Sequence, residues 1–218
     1  DRVRRLAKKL AKSDLLDDRY QYAMALLNFT WLKQEEGEAM KILKQAAEMG
    51  HPKAQYEYGL KLYRDQDDPA VGVQWISAAS QYGLPNAEYR LAQILQDSPW
   101  VVNDESKALF WYESAADKNH VPAILKSAEL KLLANDDALH HQQSAIDYLA
   151  RVSETEQDNP QYHYLVAVSH LSGENRDFTK VVKHLDKAID QGEDLNWDVS
   201  QWQDQLATWT TGAIYITE

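Results

Sequence analysis

Residues 104–123, DESKALFWYESAADKNHVPA, carry one whole helix, both of its ends and the start of the next. Asp104 is a favoured N-cap, because its carboxylate can accept a backbone N–H left free in the first turn. Lys107, Ala108, Trp111, Tyr112, Ala115 and Ala116 recur at helical spacing, and their apolar members form one stripe. Asn119 tolerates the left-handed conformation that closes a helix. Pro122 lacks the N–H that would let the helix run on.

The pattern returns along the chain. Anchors at Asp18, Ala54, Ala87, Ala123 and Pro160 lie 36, 33, 36 and 37 residues apart. Two positions past each anchor stand Tyr20, Tyr56, Tyr89, Leu125 and Tyr162. Five past stand Ala23, Gly59, Ala92, Ala128 and Leu165, mostly small, as a close helix crossing requires. Eight past stand Leu26, Leu62, Leu95, Lys131 and Val168. A second helix follows in each repeat, with Glu35, Asp68, Asp104, His141 and Asp177 at its cap slot. Acidic residues there meet the positive end of the helix dipole. Gly50, Gly83, Asn119 and Gly192 are the expected helix stops, and Asp158–Asn159–Pro160 replaces the stop of the fourth repeat.

These spacings predict an all-α chain, with residues 1–218 forming one α-solenoid domain. Its helix-pair repeats cover 18–50, 54–83, 87–119, 123–157 and 160–192. Residues 2–13 match the second helix of a preceding repeat, and 196–210 form a terminal helix with Trp197, Trp202 and Trp209. The fourth repeat should deviate most, since it lacks a glycine or asparagine stop and Asn135, Asp136 and Asp137 would start its second helix early; Ser127 and Lys131 are also its polar exceptions in the apolar stripe. Two helices of about a dozen residues cannot bury both apolar stripes between themselves. Stacking the next pair against them completes the burial, which makes an α/α superhelix.

The unit A-x-Y-x-Y-G, then D-x-x-K-A-x-x-W-Y-x-x-A-A, resembles the Sel-one-like repeat, a relative of the tetratricopeptide repeat. Ala87–Ala123 matches best and keeps KALFWYESAA intact; Ala54–Gly83 follows, with Val71 and Gly72 in place of Lys-Ala. The resemblance spans about residues 18–192. It implies a non-enzymatic adaptor that holds proteins in complexes, with no catalytic residues and no cofactor. Some bacterial members are exported, which leans the expected location toward the periplasm or cell envelope rather than the cytoplasm.

Composition narrows the function further. The net charge of −11 argues against a nucleic-acid groove, and no apolar run approaches the length of a membrane span. The chain has no cysteine, hence no disulfide and no thiolate metal site. It opens on DRVRRLAKKL without an initiator Met, as a trimmed or processed chain would. That basic start reads either as a docking helix or as a stacking helix with a solvated basic side.

The candidate partner-binding residues are the tyrosine column Tyr20, Tyr56, Tyr89 and Tyr162 with neighbours Tyr63, Gln93 and Gln96. One amphipathic ring per repeat offers a ladder to a protein or peptide, or to an extended polysaccharide such as peptidoglycan. The same rings could instead pack between helices. His140 and His141 follow Asp136 and Asp137 at helical spacing, and His163 and His170 share a helix face. Two ligands do not make a metal centre, so no metal is expected at either place. The expected function is a protein-interaction scaffold. A polysaccharide-binding envelope component and the regulatory part of an enzyme are the alternatives.

Overall fold

The computed structural model describes residues 5, 9, 15–28, 36–65, 68–133, 142–171 and 176–216, the side chains of residues 36 and 212–216 excepted. Among the described residues there are eleven α-helices and no strand. They are α1 (Leu16–Asn28), α2 (Glu36–Glu48), α3 (Pro52–Arg64), α4 (Pro69–Gln81), α5 (Pro85–Asp97), α6 (Glu105–Ala116), α7 (Val121–Leu133), α8 (Gln142–Leu149), α9 (Pro160–Leu171), α10 (Phe178–Asp194) and α11 (Ser200–Ile216). The fold is an all-α solenoid of helix pairs. The chain divides into two compact units, residues 1–115 and 116–218, where the sequence suggested a single domain.

In the first unit α1 pairs with α2 and α3 with α4, while α2 packs on α3 and α4 on α5. Tyr89 of α5 meets Tyr112 of α6 at 5.6 Å between ring centres. In the second unit α7 pairs with α8 and α9 with α10; α9 also packs on α7 and α8, and α11 on α10. The small slot explains how closely the pairs approach. Ala23, Gly59, Ala92, Ala128 and Leu165 are all buried. The α3–α4 crossing is close: a Cβ added to Gly59 would lie 2.7 Å from the Gly72 carbonyl oxygen, and one on Gly72 would lie 2.7 Å from the Gly59 oxygen. Aliphatic and aromatic side chains close the core on either side, with Leu26, Leu43, Ile76 and Tyr112 in the first unit and Ile124, Leu165, Val181 and Leu185 in the second.

The helix ends follow from local chemistry. The Asp68 carboxylate accepts from the Val71 N–H at 3.2 Å, Asp104 from Lys107 at 2.9 Å and Asp177 from Lys180 at 3.1 Å. These bonds to the ionised form hold the Asp104 and Asp177 carboxyls below their ordinary range. The cap residues Glu35 and His141, the early helix start at Asn135, Asp136 and Asp137, the Asp136–His140 and Asp137–His141 pairs and most of the basic start lie outside the described residues. Of that start, Arg5 and Lys9 are helical and exposed.

Gly50, Gly83 and Asn119 take positive φ of 87°, 75° and 59°, each closing a second helix. Gly192 does not. Helix α10 runs on to Asp194, and the positive φ falls at Asn196, at 57°. Gly192 is small for a different reason, since a Cβ there would lie 2.5 Å from Val199 Cγ1. The asparagine of Asp158–Asn159–Pro160 starts a helix, its Oδ1 accepting from the N–H of Gln161 at 2.9 Å and of Tyr162 at 3.3 Å. The last helix begins at Ser200 rather than near 196, and its Trp202 and Trp209 pack on a cluster of Ala167, Val181, Leu185, Ile189 and Val199. Trp197 stays exposed.

Candidate functional site

Six of the seven sequence-predicted residues lie in the first unit, at related positions of α1, α3 and α5, and all six are half-buried. The Tyr20 ring stacks on His51 at 5.0 Å and 28°, and it packs against the cluster of Ala23, Leu43, Ala46, Ala47 and Ala54. His51 is itself fixed twice: its Nδ1 accepts from the Ala54 N–H at 3.1 Å, capping α3, and its Nε2 lies 3.4 Å from Asp17. Burial, then the charges of Glu57 and Asp17, push the Tyr20 hydroxyl above its ordinary pKa.

Tyr56 and Tyr63 pack against Ile76, Leu91 and Ile94. Burial raises the Tyr56 pKa against the opposing pull of Arg90. The Tyr63 hydroxyl and Ser98 Oγ are hydrogen-bonded at 3.0 Å. On α5 the Gln93 amide donates to the Tyr89 oxygen at 3.1 Å, and buried Tyr112 donates to Gln96 Oε1 at 3.0 Å. Tyr20, Tyr63 and Gln96 are therefore held by partners outside their own helices, and Gln93 and Tyr89 hold each other along α5. This face presents phenols and amides, groups that donate and accept hydrogen bonds.

The seventh residue, Tyr162, lies in the second unit, only 8% exposed, and burial raises its pKa. Its ring meets that of His163 edge-on at 5.1 Å. The expected pair His163 and His170 gains a third member that spacing did not show, His184 of α10. His163 Nδ1 and His184 Nδ1 are 3.1 Å apart, and the His170 and His184 rings are 6.3 Å apart. Among the described residues no three His, Asp or Glu side chains are grouped to hold a metal ion.

A second feature of the first unit escaped the sequence reading. An open groove of about 460 Å³ is lined by residues of α4, α5 and α6, among them the apolar Val73, Leu91, Leu95 and Trp111 and the polar Gln74 and Lys107. Lys107 and Trp111 stand one helical turn apart in the stretch that decided the fold. Their companions come from two other helices, so no single periodicity marks them.

Helix pairs stacked in this way define an α/α repeat protein. The Sel1 repeat model matches residues 19–51, 52–81, 85–120 and 160–193, and the chain belongs to that family. The matches leave out 121–159, which holds the short α8. Among curated proteins, the chitin synthase regulator SKT5 of Saccharomyces cerevisiae is 28% identical over 138 residues, which is 58% of this chain and 20% of that protein. The chain thus spans about one fifth of that relative's length.

Two solved structures share the fold. One is c5321, a protective antigen of uropathogenic Escherichia coli strains, with a TM-score of 0.71 and 19% identity over 92% of this chain and 42% of that one. The other is a Sel1 repeat protein of Oxalobacter formigenes, with a TM-score of 0.69 and 20% identity over 92% of this chain and 58% of that one. No described helix is long and apolar enough to cross a membrane.

Proposed function

We propose that this chain is a non-catalytic scaffold that binds a partner protein or peptide through Tyr20, Tyr56, Tyr63, Tyr89, Gln93 and Gln96 of the first unit; Tyr162, in the second unit, offers only its rim and is not counted in that face. The observation that carries this reading is the preorganised face itself. Half-buried phenols recur at one slot of α1, α3 and α5, and their neighbours already hold them in place. Rings that are fixed before binding lose little entropy when a partner arrives. A peptide also offers backbone donors and acceptors to the amides of Gln93 and Gln96. A sugar polymer would need free ring faces, whereas Tyr20 lays one of its faces against His51. The likeness to a synthase regulator favours a second reading, in which the partner is an enzyme that the chain regulates.

The test is affinity capture by the immobilised chain, with the partner identified and titrated, then repeated with Tyr56→Ala and Tyr89→Ala. Saturable binding that weakens at least tenfold at unchanged helicity supports the reading. Undiminished binding by both variants, or turnover of a small molecule by the chain alone, refutes it.

A further inference from the structure

The second unit holds a cluster that the scaffold reading does not use. His163 and His170 of α9 and His184 of α10 form one seam between the two helices. His163 is 3% exposed, and its Nε2 is buried without a hydrogen-bond partner. Its Nδ1 faces the Nδ1 of His184 at 3.1 Å, so one of the two nitrogens must donate and the other accept. That bond exists only while at least one ring is neutral. With both rings protonated, each Nδ1 carries a hydrogen and the contact becomes repulsive.

The charges around the seam make protonation harder still. Lys187 acts on His163 and His184, Lys183 and Lys180 act on His184, and Lys180 acts on His170. Asp158 ahead of α9 and Asp177 ahead of α10 oppose them. The other packed elements bring polar contacts that end elsewhere. Glu129 of α7 accepts from Gln161, Gln142 of α8 donates to the Ser169 carbonyl, and Trp202 of α11 stacks on Tyr164 at 5.0 Å.

We propose that this histidine seam is an acid-operated release: the α9–α10 pair is closed at neutral pH and opens in mildly acidic surroundings, freeing α11 and the apolar cluster beneath it. Desolvation, then Lys187 and His184, hold the His163 pKa down to about 4 from an ordinary 6.5. Burial lowers His184 and His170 in the same direction. The opened pair therefore binds more protons than the closed pair between these values, and closure weakens as pH falls through that window. His163 alone multiplies the opening constant by about 20 at pH 5 relative to neutral pH.

Amide hydrogen exchange of the full chain tests this at pH 7.5, 6 and 5, corrected for intrinsic exchange. Helices α5 and α6 serve as the internal reference, because residues 85–116 contain no histidine. Protection of α9 and α10 should fall at least tenfold relative to the reference at pH 5. His163→Leu should flatten most of that difference. Lys187→Gln, on the exposed side of α10, should reduce it while preserving the fold. A constant ratio of the two regions across the pH series overturns the proposal. So does a ratio that falls equally in both variants, since carboxylates would then be responsible.

Discussion

Replacing Gly72 by alanine sets two physical effects against each other. Alanine in a helix interior is favoured over glycine by about 1 kcal/mol, so an uncrowded site would gain stability. The methyl would lie 2.7 Å from the Gly59 carbonyl oxygen, 2.8 Å from the Tyr63 nitrogen and 3.1 Å from Tyr63 Cβ. None of these atoms can rotate away, because each is backbone or a Cβ. The α3 and α4 axes would have to separate, loosening the contacts of Ile76 and Trp75 along the crossing. Overpacking of this kind costs about 1–3 kcal/mol and more where the backbone itself must move, so the net effect is a loss of about 1–2 kcal/mol. Gly37 supplies the control. A Cβ there would meet nothing within 4 Å, so Gly37→Ala should be neutral or stabilising by up to about 1 kcal/mol. Because Gly59 and Gly72 share one crossing, the double alanine variant should cost less than the two single losses together. Urea unfolding followed by circular dichroism measures the parent, the Gly37→Ala, Gly59→Ala and Gly72→Ala variants and the double variant. If Gly72→Ala is as stable as the parent, or the losses of the pair simply add, the close-crossing argument is wrong.

Three other outcomes are expected. His51→Ala removes the α3 cap and the support of Tyr20, at a cost of about 1 kcal/mol, whereas His51→Asn should recover most of the cap; thermal melts compare the two. Arg151 donates to the Ala116 carbonyl at 2.8 Å, to Asn119 at 2.9 Å and to Asp117 at 3.2 Å, with its guanidinium 5.4 Å from the centre of the Tyr148 ring. Arg151→Lys cannot reproduce that fork, so it should lose nearly as much as Arg151→Ala, about 1–2 kcal/mol in urea unfolding. Asp104→Ala should fray α6. Its native carboxyl sits below the ordinary range, so the stability it contributes is present above that range and lost as acid protonates it. The difference between parent and variant in helicity should vanish at low pH.

The fold was legible wherever a feature depends on a few neighbouring residues. Asp68, Asp104 and Asp177 cap helices because a carboxylate reaches N–H groups three residues on, and Gly50, Gly83 and Asn119 stop them through their own φ. Gly192 was misread because a stop and a packing contact both call for the smallest residue. Only the position of Val199 separates them. The caps at His51 and His120 were missed, since an imidazole acceptor at a helix start has no strong sequence signature. His184 occupies a slot filled elsewhere by Ile42, Trp75, Trp111 or Tyr148, and so it reads as core. Its meeting with His163 is a fact of packing across 21 residues. The groove lined by α4, α5 and α6 was invisible for the same reason, because three helices build it and none announces it.

The left-handed residues at Gly50, Gly83 and Asn119 have an evolutionary corollary. Each of these three helices carries its own full stop, so its length owes nothing to the block upstream. Duplicating or deleting one such block would pass no register error along the chain, much as a bead can be added to a string without retying the others. Lineages built this way can change their reach by unequal exchange within the gene and keep each retained block intact.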